Sequence, residues 1–355
     1  MRHSTLSTAL ALAITACGAG LALADSWQEQ STATLPAADV RRVRVENSRG
    51  LVTVTRGRAG EVRVEALKVV RSNDEKWARR VLEQTEVTAE TRDGELLIRA
   101  VYPQRQMVRV RVWDLFNDFE LPRIEIRLAI QIPPGVPLAL KSTSGDLSTT
   151  GIGSSQTIET TSGDVVVSGA GSLAARTTSG DVQLASCGAT KLVTVSGDVT
   201  AEGMTGPLRL ETTSGDVRIR QATDSLSVLT VSGDIVVDRA PRGIRVASTS
   251  GGVDVRRASG RVMARTTSGD LGIGLAAPID GAELATSNGD VQLHLAGAVP
   301  CVLDFETTNG DIQIEAALNI QNVTRHRVRA VVHDGRAPVM VRTASGDIRV
   351  TEEAR

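Results

Sequence analysis

The stretch "TTSGDVVV", residues 160–167, decides the reading of the chain. Its Gly163 recurs as Gly180, Gly197, Gly215, Gly233, Gly251 and Gly269, each 17 or 18 residues on. Gly145 precedes this run, and Gly289, Gly310 and Gly346 follow it at wider spacing. Self-similarity at a fixed period signals a repeat architecture before it signals chemistry.

Aligned on glycine, the repeats show which side chains point inward. Three residues before each Gly stands Ser or Thr, from Ser142 and Thr160 through Thr212 and Thr230 to Thr307 and Thr343. Apolar residues occupy positions seven and five before the Gly (Leu208, Leu210) and two and four after it (Val217, Ile219). Arg, Glu, Gln and Thr alternate with them. Each repeat therefore reads as strand, tight turn, strand, second turn, with one face of each strand buried. A path of about 18 residues is one coil of a β-solenoid, a parallel β-helix-like stack. Hairpins in an antiparallel sandwich give no reason for so constant a length. The wider intervals place loops at "LAAPIDGAEL" (275–284) and "IQNVTRHRVRAVVHDGRAP" (320–338), and the final strands are expected to cap the stack.

The fold class expected is thus all-β: a β-solenoid over 138–355, behind a β-rich region at 41–137. Within that region "SNDEKWARRVLEQTE" (72–86) changes period. Trp77, Val81 and Leu82 fall at helical spacing, and Ser72 or Asn73 is placed to cap a short helix near 73–85. Residues 25–40 read as a polar leader.

Residues 1–24 read as an export signal. Arg2 gives a positive start, Leu6 to Leu23 is apolar, and "ALA" at 22–24 offers a cleavage site before Asp25. "ITAC" (14–17) allows a second outcome, lipidation of Cys17. Either route takes the protein out of the cytoplasm, to the periplasm or the outer-membrane or cell surface. Cys187 and Cys301 remain; about six coils of about 4.8 Å separate them, too far for a disulfide, so both are expected as buried free thiols.

Composition narrows the function. Lys and Arg number 40 against 41 Asp and Glu, so no bulk charge points to nucleic acid. Phe305 is the one aromatic of the repeats, which argues against stacking platforms for bases or sugars. The histidines His3, His294, His326 and His333 make no metal spacing, although His326 and His333 share a loop with Asp334. No catalytic residue, cofactor site or metal centre is assigned. Asp follows the Gly in ten of eleven repeats, Gly252 being the exception. This carboxylate can cap its own turn. It can alternatively bind Ca²⁺ along a column of Asp164, Asp181, Asp198, Asp216 and Asp234, since stacked charges repel and Ca²⁺ takes oxygen ligands.

"STSGDLSTTGIGS", "TTSGDVVVSGAGS" and "TVSGDIVVDRAPRG", preceded by "IQIPPGVPLALKSTSGD", resemble the bacterial DUF4097 family of β-strand-repeat, adhesin-like proteins over most of the chain after about residue 40. The resemblance implies an exported or envelope-associated β-solenoid. It brings no catalytic motif and no site residues. Two non-enzymatic functions follow: a scaffold presenting a surface to an envelope protein, polymer or cell through outward charges such as Arg209, Glu211, Arg218 and Arg220, or a periplasmic accessory of envelope-stress signalling. A polysaccharide-active β-helix enzyme is the third reading, opposed by the missing aromatics and acid pairs.

Overall fold

The structure, a computed structural model, describes residues 10–13, 21–23, 26–72, 74–103, 123–315 and 319–352. Cys17 lies outside them. The described residues are all-β with one helix, and the chain divides into two compact units, Met1–Gly171 and Ser172–Arg355.

In the first unit the strands Arg42–Arg49 and Val52–Arg56 form a coil that is first in sequence but not at the edge. Arg42–Arg49 pairs in parallel with Leu138–Ser144 on one side and Glu95–Val101 on the other. Val52–Arg56 pairs likewise with Leu147–Thr150 and Arg123–Ile132. Antiparallel strands continue both sheets outward: Glu86–Arg92 on Glu95–Val101, then Glu61–Arg71 on Arg123–Ile132 and Ser26–Pro36 on Glu61–Arg71. The segment expected as a polar leader is therefore structural in part. Ser26–Pro36 is paired over its whole length and buries Leu35, which its polar composition concealed.

The helix Glu75–Gln84 packs Ala78, Val81 and Leu82 against Val70, beside Trp27, Trp77 and Ile124. Its cap is Asp74, whose carboxylate accepts the Trp77 N–H at 3.0 Å. Ser72 instead accepts the Asp74 N–H at 3.1 Å, so the cap lies one residue beyond Asn73 and two beyond Ser72, the positions expected for it.

The second unit is the repeat stack. Val199, Val217 and Ile235 lie in register on one sheet, and Leu208, Leu226 and Ile244 on the other, all in parallel. Parallel pairing settles the solenoid against the hairpin sandwich. Each coil buries its alternating residues almost completely; Leu208, Leu210, Val217 and Ile219 are 0–1% exposed. At roughly 1.5–3 kcal/mol for each buried aliphatic side chain, this column is the main drive for stacking. The second turn adds one inward residue per coil: Cys187, Met204, Ala222 and Ala240, each buried.

Two expectations are corrected at the far end of this unit. Residues 275–284 are not a loop but part of one long strand, Leu271–Asn288, which pairs with Val253–Arg265 through three register shifts. The final strands do not cap the stack either. Ala337–Ser345 lies in parallel between Leu271–Asn288 and Cys301–Asn309, and Ile348–Glu352 between Val291–Ala296 and Ile312–Glu315. The order of coils is Gly269, Gly289, Gly346, Gly310. Cys301–Asn309 is covered instead by an antiparallel hairpin, Asn319–Thr324 with Arg327–Val332, drawn from the stretch expected as a loop.

Candidate functional site

The repeated Ser-Gly-Asp corner is built from three columns, and each is engaged with backbone. The glycines come first. Gly215 has φ +112°, and a Cβ on it would overlap the carbonyl oxygen of Gly197 in the preceding coil. Both the positive φ and the close stacking exclude a side chain.

The aspartates form a ladder. In the second unit Asp181 Oδ1 accepts the Asp198 N–H, Asp198 Oδ1 the Asp216 N–H and Asp216 Oδ1 the Asp234 N–H, all at 2.9 Å. Asp234 Oδ1 then accepts the Gly252 N–H at 2.7 Å. Gly252 has no carboxylate to offer, and the ladder resumes with Asp270 accepting from Asp290, Asp290 from Asp347, and Asp347 from Asp311, each at 2.8 Å. In the first unit Asp146 accepts the Asp164 N–H at 3.0 Å. Among the described residues no three His, Cys, Asp or Glu side chains are grouped as metal ligands. The five aspartates weighed as Ca²⁺ ligands thus each belong to a ladder of backbone bonds.

The buried threonine hydroxyls act on turn carbonyls, whereas the Ser142 and Ser248 hydroxyls of the same column have no hydrogen-bond partner among the described residues. Thr194, Thr212 and Thr230 donate to the carbonyls of Ser196, Ser214 and Ser232 at 3.2, 3.0 and 3.1 Å. Thr266, Thr286 and Thr343 reach instead to the Gly carbonyl of a neighbouring coil, Gly251, Gly269 and Gly289. Each of these hydroxyls is engaged with a backbone carbonyl rather than a side-chain base.

The histidines do not converge. His326 and His333 flank the strand Arg327–Val332, so they sit about 20 Å apart at about 3.3 Å per residue. His333 Nε2 faces Glu352 Oε1 at 2.9 Å, and His294 Nδ1 lies 3.0 Å from Thr351 Oγ1. Cys187 and Cys301 are buried and form no disulfide, and burial pushes the Cys301 thiol up to about 12, with Glu352 adding to the shift. A thiol held protonated is a poor nucleophile.

A concavity lies in the first unit, where the corner motif degenerates to "SRGL" (48–51). Arg49 stands where Ser or Asn precedes the other glycines, and Leu51 where Asp follows them. A cleft of about 590 Å³ opens here, lined by Arg49, Arg123 and Arg127 together with Leu51, Glu125 and Asp146. Arg127 pairs with Glu125 at 3.4 Å. Behind it the corner is pinned: Asn47 takes the inward Thr position and donates to the Ile126 carbonyl at 2.9 Å, and Tyr102 Oη lies 2.6 Å from Asn47 Oδ1. Three guanidinium groups over two carboxylates suit a polar or anionic contact. Sequence reasoning missed this cleft; the signal was the local departure from the repeat rule at Arg49 and Leu51.

A regular β-solenoid whose repeated polar groups bind its own backbone defines a repeat scaffold. The chain belongs to the Toastrack DUF4097 family, which matches residues 23–242 and 209–351. No curated protein is similar enough in sequence to match it. Among solved structures it is similar to a candidate cell adhesion protein of Clostridium sporogenes, with 8% identity over 92% of this chain and 100% of that one, at a TM-score of 0.22. Candidate adhesins of Bacteroides fragilis and Parabacteroides distasonis are each 11% identical over 91% of this chain and 97% of theirs, at TM-scores of 0.27 and 0.25. Among the described residues no helix is long and apolar enough to cross a membrane.

Proposed function

We propose that this protein is an exported, non-enzymatic component of the cell envelope, an adhesin-like scaffold whose stiff β-stack presents a polar surface to another envelope protein, polymer or cell. The observation that carries the reading is the division of labour among the repeat positions. The recurring Asp and Thr groups are engaged with backbone, whereas the outward positions vary freely and carry charge. Arg209 pairs with Glu211 at 2.7 Å, and Asp238 sits between Arg220 and Arg256 at 3.9 and 3.0 Å. Such a lattice of exposed pairs adds little stability, but it suits a salt-sensitive contact. Export rests on the signal at 1–24, with cleavage after Ala24 or lipidation of Cys17 as the two routes.

Protease treatment of intact cells, followed by detection of this protein, tests the reading. Cleavage while periplasmic controls are spared supports surface presentation. Protection until the outer membrane is permeabilised overturns the adhesin-like reading and directs the search to a periplasmic partner, as an envelope-stress accessory requires.

A further inference from the structure

The last coil of the stack is closed on one sheet and open on the other. Cys301–Asn309 is paired on both sides, with Ala337–Ser345 and with the hairpin strand Arg327–Val332. Among the described residues Ile312–Glu315 is paired on one side alone, with Ile348–Glu352. Three independent features mark its free side as unfinished. Ile312 and Ile314 hold core positions yet are half-buried, whereas their equivalents Val291, Leu293, Ile348 and Val350 are 0–1% exposed. The repeat rule fixes where their amides point. Val291 donates to the Asp347 carbonyl and Ile348 to the Asp311 carbonyl, each in the next coil, so the N–H groups of Ile312 and, two residues on, Ile314 face outward. Finally, the Asp311 N–H is held by Asp347, but the Asp311 carboxylate, last of the ladder, meets no amide among the described residues.

We propose that this edge receives an extended segment of another polypeptide, added in parallel as one further strand, with apolar residues over Ile312 and Ile314 and basic residues between them. Main-chain bonds to Ile312 and Ile314 supply the pairing, and the free Asp311 carboxylate takes an incoming amide as every inner rung does. Charge selects the occupant. Asp311 and Glu315 bracket the edge, and Glu315 already holds Arg349 at 2.6 Å. A second copy pairing antiparallel through the same strand would set Asp311 against Glu315 of its twin, which like-charge repulsion opposes. A basic, alternating strand meets the opposite sign. The edge is four residues long, so the contact is a weak or transient one. The inference does not depend on which side of the outer membrane the protein faces.

The test uses the full chain and a labelled hexapeptide of alternating Val and Arg, blocked at both ends. The expected result is saturable binding, with slowed hydrogen exchange at the Ile312 and Ile314 amides. The same peptide N-methylated on alternate residues, unable to pair, should not bind. Asp311→Lys, which alters a carboxylate without a fold partner, should weaken binding by about tenfold or more at unchanged melting temperature. Ile314→Pro removes one outward donor at an edge, where Pro is tolerated, and should abolish binding. Absence of binding, or binding indifferent to N-methylation and to Asp311→Lys, overturns the proposal while leaving the surface-presentation experiment untouched.

Discussion

The Oδ1 of Asp198 accepts the backbone N–H of Asp216 at 2.9 Å, tying the corner of one coil to the corner of the next. Two effects compete in that bond. Neighbouring carboxylates about 5 Å apart repel by about 1 kcal/mol in water. A hydrogen bond to a charged acceptor contributes about 1.5–3 kcal/mol. On these magnitudes the bond outweighs the repulsion.

The glycine of the corner is as constrained as the aspartate. Gly215→Ala places a Cβ into the Gly197 carbonyl at a φ of +112°, and should lower stability by about 3 kcal/mol or more in urea unfolding. Gly252 lies next to Gly251 outside that constraint; a Cβ there first meets Asp234 Oδ1 at 3.6 Å. Gly252→Ala should shift stability by no more than about 0.5 kcal/mol, and Gly252→Asp should raise it by about 1 kcal/mol by adding the missing rung beneath Asp270. Equal losses at Gly215 and Gly252 would refute the stacking geometry.

Because the final coil lies inside the stack, deleting residues 337–355 should do more than fray an end. Leu284 and Leu303 both lie in register with residues of that coil, Val341 and Val339 respectively. Hydrogen exchange should accelerate at both. Acceleration confined to one of them would contradict the inserted order.

Alkaline pH should weaken the fold. Burial raises the Cys301 thiol from 9.0 to about 12, and burial likewise raises the Tyr102 hydroxyl from 10.0 to about 12. The unfolded chain therefore loses these protons first. Their contribution is full below pH 9 and falls as pH rises from about 9 through about 12. Native Cys301 should stay silent to a thiol reagent at about pH 8 and react on unfolding; ready labelling of the folded chain would contradict its burial.

Acid should loosen the hairpin that covers the last coil. Arg327 Nε and Nη2 donate to Asp304 Oδ1 and Oδ2 at 3.0 and 2.7 Å, and this pairing holds the Asp304 carboxyl below the usual carboxylate range. A depressed pKa contributes stability above the unfolded value of about 4, lost as pH falls below it. Exchange in 301–306 should rise on acidification, and Asp304→Asn should produce the same rise at neutral pH. An acid response unchanged in Asp304→Asn would assign it to another group.

Most of the coil was legible in sequence because each coil obeys the same rule. Gly215, Thr212, Leu208 and Val217 occupy the positions their period assigns them. The order of coils was not legible for the same reason: Leu284, Phe305 and Val341 are equivalent in pattern, each five residues before its glycine, so nothing local says which pairs with which. Chain order is the natural prior, and the hairpin at 319–332 overrides it by covering the Gly310 coil and leaving the inner slot to the chain's end. Likewise the wide interval after Gly269 reads as a loop at 275–284, yet strand pairing carries on through Leu275, Ile279 and Gly281 with shifted register. The arginine cleft hid in a corner that breaks the rule, where a period-based reading has least to offer.

The central claim is that the aspartate column is framework. Thermal unfolding of the wild type, Asp216→Asn and Asp216→Ala, each with and without about 1 mM Ca²⁺, tests it most directly. An amide oxygen can still accept the Asp234 N–H, so Asn should stay within about 0.5 kcal/mol of wild type, Ala should lose about 1–3 kcal/mol, and Ca²⁺ should move none of the three. A melting temperature raised by Ca²⁺ in the wild type and lost in Asp216→Asn would contradict it and make the column a cation site.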